Sequence, residues 1–191
     1  DWAPRGHGEK VAVSLAITQS CNPFFYDLAY QMGIDVISEN MFDFGFGQST
    51  GIDMDEELVG IMPSRDWKKR NRRTDWFPGE TVLTGIGQGY WNATPLQLAN
   101  AIATIGSGGA RYQLSLLKAI EEQAGWIEKE PELAPRQVDF GDKKNLQVVQ
   151  TAMERVTQRR WNGTAKTAFD GAPYSSAGKT GTVQLRKTEE D

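Results

Sequence analysis

The sequence predicts a mixed α/β domain in which helices flank a largely antiparallel sheet. Three patterns carry that expectation: helices opened by proline and closed by glycine, a hairpin signal near Gly125, and an alternating stretch around Gly178-Lys179-Thr180-Gly181-Thr182. The 191 residues suffice for a core of their own. With 39% hydrophobic and 24% charged residues, the chain reads as globular, which excludes a disordered tail or a membrane bundle. Twenty-one Lys and Arg against 25 Asp and Glu leave a net charge of −4, so the surface as a whole does not fit nucleic acid.

Elements follow in chain order. Asn22 reads as an N-cap with Pro23 at the first helical position, followed by Phe24, Leu28 and Met32 at helical spacing and closed by Gly33. A second short helix is expected over 36–44, ending at Gly45. Residues 45–93, rich in Gly, Pro, Trp and charge, are expected as long irregular connections. Thr94-Pro95-Leu96-Gln97 is a capping box with Pro at the first helical position, and its helix carries Leu98, Ile102 and Ile105 on one face up to Gly106. A strand over 112–121 and Trp126-Ile127 form the expected hairpin about Ala124-Gly125. Asp142 caps a helix with Leu146, Val149, Met153 and Val156 inward, and 174–185 is expected as the last strand. No repeat or low-complexity segment interrupts this order.

The longest apolar run, 11–17, is broken by Ser14 and falls short of the roughly 18 residues a spanning helix needs. The chain opens Asp1-Trp2-Ala3-Pro4-Arg5, without a Met or a signal-peptide pattern, as expected of an excised or processed piece. One cysteine, Cys21, excludes an internal disulfide. One histidine, His7, limits any mechanism built on imidazole.

Several catalytic patterns match by chance. Gly47-Gln48-Ser49-Thr50-Gly51 fits a nucleophile elbow, but no convincing helix follows it and the single His lies upstream. Ala177-Gly178-Lys179-Thr180 ends like a phosphate-binding loop, but Pro173 stands where the first Gly belongs. The basic run Lys68-Lys69-Arg70-Asn71-Arg72-Arg73 in an acidic protein reads as a solvated or mobile face. Asn162-Gly163-Thr164 fits a glycosylation sequon, which matters only in a eukaryotic secretory setting.

What survives is a pair of motifs far apart in the chain: Ser20-Cys21-Asn22 at a helix boundary and Lys179-Thr180-Gly181 in the last predicted strand. In penicillin-recognising acyl-transfer enzymes S-x-x-K, S-x-N and K-T-G converge, in that order. Gly45-Phe46-Gly47-Gln48-Ser49-Thr50-Gly51-Ile52-Asp53, Gly85-Ile86-Gly87-Gln88-Gly89, Thr94-Pro95-Leu96-Gln97-Leu98-Ala99 and Gly163-Thr164-Ala165 complete the set. With these segments the chain resembles the class B penicillin-binding proteins from end to end. Asp1-Trp2, Gly6-His7-Gly8 and Phe24-Phe25-Tyr26 look most like the elongation-type D,D-transpeptidases of rod-shaped bacteria.

The resemblance implies the penicillin-binding transpeptidase fold and serine acyl transfer on peptidoglycan stem peptides ending in D-Ala-D-Ala, the reaction that β-lactams block. The nucleophilic Ser and its Lys belong upstream of Ser20. The S-x-x-K strings Ser115-Leu116-Leu117-Lys118 and Ser176-Ala177-Gly178-Lys179 have the wrong order and no helix start. A further strand and helix are expected after the K-T-G segment, so the chain reads as part of one transpeptidase domain. By the same resemblance Ser20 relays a proton, Asn22 bonds the substrate backbone, and Lys179 supplies positive potential. Thr180 and Thr182 receive the terminal carboxylate, Gly181 admits the substrate backbone, and the Thr182 N–H forms half of an oxyanion hole. Asp1, His7 and Cys21 are expected as three ligands of a structural zinc, with the fourth upstream. The expected setting is the periplasmic side of a bacterial inner membrane, through an N-terminal anchor outside this sequence, beside a SEDS-type glycan polymerase. The bland alternative makes Ser20 and Asn22 helix caps and Lys179 an exposed strand lysine; agreement among five segments favours the catalytic reading. A penicillin-binding sensor or inactive scaffold on the same fold is the alternative function.

Overall fold

The computed structural model describes residues 10–129 and 133–182. The chain divides into two compact units: Asp1–Gly33, Phe77–Gly89 and Asp142–Asp191 form the first, Ile34–Trp76 and Tyr90–Gly141 the second. Among the described residues helices dominate, with two small antiparallel strand pairs, as the mixed α/β expectation requires.

In the first unit, α1 (Val13–Gln19) packs on α6 (Lys143–Val156). Small side chains allow the approach: Ala16 and Ala152 are both fully buried, and Thr18 is 2% exposed. The Thr18 hydroxyl lies 2.8 Å from the Ser14 carbonyl and 3.4 Å from that of Ala152, so its polar atom is satisfied inside the contact. Arg155 reaches back to Ser14 Oγ at 2.9 Å. Asp142 caps α6 as expected, accepting from the Lys144 N–H at 2.9 Å, and Leu146, Met153 and Val156 are buried. A Cβ on Gly85 would stand 2.3 Å from Ala29 Cβ, so glycine there lets the end of α4 (Pro78–Thr84) close on the helix that carries Ala29.

Helix α2 (Asn22–Asp43) contains a break at Gly33, whose φ of 78° is the left-handed geometry that favours glycine. The two expected helices are therefore present, meeting at that residue. Their start differs by one position: Asn22 is the first helical residue, and the Cys21 carbonyl accepts from the Phe25 N–H at 3.4 Å. Ala29 is buried, while Leu28 and Met32 are over a third exposed.

The second unit corrects the sequence reading in three places. Residues 45–93 are not wholly irregular: α3 (Arg65–Arg72) starts at a Ser64 cap that accepts from the Trp67 N–H at 3.1 Å, and α4, in the first unit, starts at Pro78. The basic run thus lies on α3, where Lys68 is 2% exposed and donates to the Asp75 carbonyl. Helix α5 (Pro95–Gly106) has the expected capping box, its Thr94–Gln97 bonds both 3.1 Å. Its buried face is nevertheless Gln97, Asn100, Ala101 and Thr104, with Leu98 and Ile102 about half exposed. The loops beside it offer backbone carbonyls: the Gln97 amide donates to Gln48 O at 2.7 Å and Val59 O at 2.8 Å, and Asn100 donates to Tyr112 O at 3.3 Å.

The expected strand over 112–121 shortens to β2 (Ala119–Glu122), which pairs with β3 (Gly125–Glu128) through Ile120 opposite Ile127. A second pair joins β1 (Ala110–Arg111) to β4 (Arg136–Gln137). Asp53 explains the gap between β1 and β2. Its carboxylate accepts from the Leu116 N–H at 2.5 Å and the Leu117 N–H at 3.3 Å, two donors that a strand ladder would have used, and from Ser115 Oγ at 3.0 Å.

These donors, the Leu116 N–H foremost, hold the Asp53 carboxyl at a pKa of about 2, below its ordinary 3.8. A depressed acid contributes stability that is complete above its unfolded pKa and disappears as pH falls through about 2. Asp53→Asn is therefore expected to lower the melting temperature at neutral pH, and the gap from wild type should close in melts taken at the acid end. A difference that does not change with pH would count against the assignment.

Candidate active site

Ser20 ends α1 in the left-handed conformation, φ 53° and ψ 52°. That region costs an L-residue about 1–2 kcal/mol. The turn's own bonds offset it, from the Ser20 N–H to Ile17 O at 3.3 Å and from the Cys21 N–H to Ala16 O at 2.9 Å. Two residues later, at Asn22, α2 begins, so the three residues of the S-x-N motif bridge two helices. Cys21 is 3% exposed beneath the turn, while Ser20 and Asn22 on either side are half-buried.

The K-T-G segment comes to the same place from the other end of the chain. Residues 174–182 form no strand, against expectation: both strand pairs lie in the second unit, and no strand of the first is present among the described residues to supply a ladder. Residues 183–185 of that expected strand lie outside the described residues. The segment is held by the end of α6 instead. The Gly178 N–H donates to Met153 O at 3.0 Å, and the Thr157 hydroxyl donates to Ser176 O at 2.8 Å.

The two motifs meet through one contact. Lys179 Nζ donates to Ser20 Oγ at 2.8 Å across a separation of 159 residues, and to Thr180 O at 2.9 Å. Desolvation of the ammonium lowers the Lys179 pKa from its ordinary value, although the residue keeps an exposed face. A lysine so placed holds a proton close to a hydroxyl while releasing it more easily than in water.

The other expected residues divide. Thr180 is half-buried, and its Oγ1 lies 2.8 Å from Thr164 Oγ1. Gly181 and Thr182 are exposed, and a Cβ on Gly181 would meet open space. Asn22 borders the same turn as Ser20. Of the expected zinc ligands only Cys21 is placed; Asp1 and His7 lie outside the described residues, among which no three of His, Cys, Asp or Glu gather around a common point. Thr164 is the residue the sequence left without a role. Its motif, Gly163-Thr164-Ala165, was visible as a signature, but its proximity to Thr180 is set only by the fold. In the Gly47–Gly51 loop, Ser49 Oγ donates to the Glu57 carboxylate and accepts from the Gly51 N–H.

Residues 1–191 match the family of the penicillin binding protein transpeptidase domain. The chain belongs to that family. Among curated members of the transpeptidase family, it is 39% identical over 191 residues to the peptidoglycan D,D-transpeptidase MrdA of Haemophilus influenzae, covering all of this chain and 29% of that protein. It is 39% identical over 187 residues to the Escherichia coli K12 protein of the same name, covering 97% of this chain and 29% of the other. The chain thus spans less than a third of these curated relatives. Among solved transpeptidase structures, penicillin-binding protein 2 of Pseudomonas aeruginosa superposes with a TM-score of 0.83 at 39% identity, covering 92% of this chain and 39% of that one. The Helicobacter pylori protein in complex with MreC gives a TM-score of 0.83 at 31% identity, covering 97% of this chain and 32% of that one.

Proposed function

We propose that this chain supplies the S-x-N and K-T-G walls of a peptidoglycan D,D-transpeptidase that cross-links stem peptides by serine acyl transfer. The observation that carries the reading is the Lys179–Ser20 contact at 2.8 Å, which joins the two motifs. In the reaction proposed, a Ser upstream of Ser20 gives its proton to its paired upstream Lys and attacks the carbonyl of the D-Ala-D-Ala bond, the C–N bond breaks, and D-Ala leaves as an amine. That nitrogen needs a proton. Because Lys179 donates to Ser20 Oγ, the Ser20 hydrogen is free to pass to the leaving nitrogen, and the ammonium can restore it. An amine of a neighbouring stem peptide then attacks the acyl-enzyme, its proton passing through Ser20 back to Lys179, while the released Ser recovers its own proton from the upstream Lys.

The remaining roles follow the family resemblance. Asn22 bonds the substrate backbone, Thr180 and Thr182 receive the terminal carboxylate, and Gly181 leaves room for the substrate, in accord with the open space above it. The Thr182 N–H stabilises the oxyanion. The proposed setting is the periplasmic face of an inner membrane, reached through an anchor elsewhere in the protein. Among the described residues no helix is long and apolar enough to cross a membrane. A SEDS-type polymerase is the proposed partner. A solved structure titled for coordination of polymerization and crosslinking by a peptidoglycan synthase complex supports it, 33% identical with a TM-score of 0.77 and covering 93% of this chain and 29% of that one.

In the intact protein, Lys179→Ala is expected to slow acylation by a fluorescent penicillin on the order of 10²–10³-fold or more, with the fold kept. Near-normal labelling would refute the role. A polypeptide limited to residues 1–191 should give no labelled band after denaturing electrophoresis, because neither S-x-x-K string has the nucleophile's setting; a band at its mass would show a nucleophile within it.

A structural zinc held by Asp1, His7 and Cys21 with a fourth, upstream ligand is proposed alongside. The buried Cys21 thiol has the donor chemistry, and the metal would clamp the entering loop to the turn that carries Ser20 and Asn22. Elemental analysis of the intact domain should find zinc that Cys21→Ser releases. A metal-free domain would end the idea.

A further inference from the structure

Thr164 is fixed from two sides before its hydroxyl meets anything. Gly163 passes so close to the end of α6 that a Cβ there would stand 2.2 Å from the carbonyl oxygens of Arg155 and Val156. On either side of this crossing, the Gly163 N–H donates to Gln158 O at 3.3 Å and the Ala165 N–H to Val156 O at 3.0 Å. The Thr164 N–H donates to Thr18 O at 3.3 Å, on the helix that ends in Ser20. Thr164 is thus held against both helices of the site while its Oγ1 lies 2.8 Å from Thr180 Oγ1.

A hydroxyl has one hydrogen and two lone pairs. In a contact between two hydroxyls, one gives its hydrogen and the other keeps its own for a second partner. If Thr180 gave its hydrogen to Thr164, it would present lone pairs to an incoming carboxylate and repel it. If Thr164 gives, the Thr180 hydrogen is free to point outward. We propose that Thr164 is a positioning residue: its hydroxyl donates to Thr180 Oγ1 and so turns the Thr180 hydrogen toward the terminal carboxylate of the substrate or of a β-lactam. The proposal rests on the carboxylate-receiving role given to Thr180 above.

The test uses the full-length protein and two probes, benzylpenicillin and its methyl ester, which differ in the carboxylate. Acylation kinetics resolve the apparent dissociation constant from the acylation rate constant. Thr164→Val is expected to weaken benzylpenicillin binding about tenfold, leave the acylation rate constant within about twofold, and leave the ester unaffected. Thr164→Ser should restore wild-type preference for the carboxylate. Thr180→Val should show the same loss, and the double variant should lose no more than either single one. Melting curves accompany each variant, and Thr164→Ala replaces Thr164→Val should the latter fold poorly. A carboxylate preference kept by Thr164→Val but lost by Thr180→Val overturns the positioning role, as do additive losses in the double variant. A preference that survives Thr180→Val instead removes the carboxylate role from Thr180, and that outcome marks failure of the underlying reading.

Discussion

The contact between α1 and α6 holds the first unit's site together, and it depends on side-chain size. Ala16, Thr18 and Ala152 are at most 2% exposed, and none is larger than threonine. Helices meeting through such residues approach closely enough for the Thr18 hydroxyl to lie near a carbonyl of the other helix. From this one contact two consequences run in opposite directions along the chain. α1 ends in the turn that presents Ser20, and α6 ends where the K-T-G segment is tied through Gly178 and Ser176. The 2.8 Å between Lys179 and Ser20 is the distance those two helix ends leave. A larger residue at Ala16 or Ala152 would open it, since overpacking in a filled contact is relieved by backbone shifts.

The site is polar, and its polar atoms are arranged rather than merely present. Lys179 has its ammonium partly withdrawn from water, which lowers its pKa, yet it donates both to a hydroxyl and to a carbonyl. Thr180 shares its oxygen with Thr164. Each of these groups has a hydrogen-bond partner in place before any ligand arrives, so little reorganisation is left for the moment of reaction.

The second unit follows a different rule. Its central helix, α5, buries amides and hydroxyls against loops, and the loops are shaped by side chains that capture backbone groups. Gln97, 1% exposed, accepts from the Thr94 N–H and donates to Gln48 O and Val59 O, closing three backbone groups with one side chain. Asp53 likewise closes two backbone N–H groups, of Leu116 and Leu117, and the Ser115 hydroxyl. Such side-chain bonds replace strand pairing with loops that are ordered but irregular.

Local chemistry was legible in the sequence at several elements whose signal sits within one turn of chain. The Thr94-Pro95-Leu96-Gln97 box, the Asp142 cap and the stop at Gly33 each specify their element through residues at most four apart and are present, and the hairpin turn expected near 124–125 lies at 123–124. The motifs Ser20-Cys21-Asn22 and Lys179-Thr180-Gly181 were equally legible, because they are fixed strings. What the sequence could not determine were relations between distant segments. The apolar pattern of α5 pointed to Leu98 and Ile102, but burial depends on what lies opposite, and loop carbonyls there selected Gln97 and Asn100. The alternation of 112–121 read as one strand, until a carboxylate some sixty positions earlier took its donors. The segment 174–182 alternates like a strand, but a strand exists only where a neighbour offers a ladder. The meeting of Thr164 with Thr180 has no sequence period at all. It is decided by tertiary structure, because only the crossing of Gly163 over the end of α6 brings those two hydroxyls within a hydrogen bond.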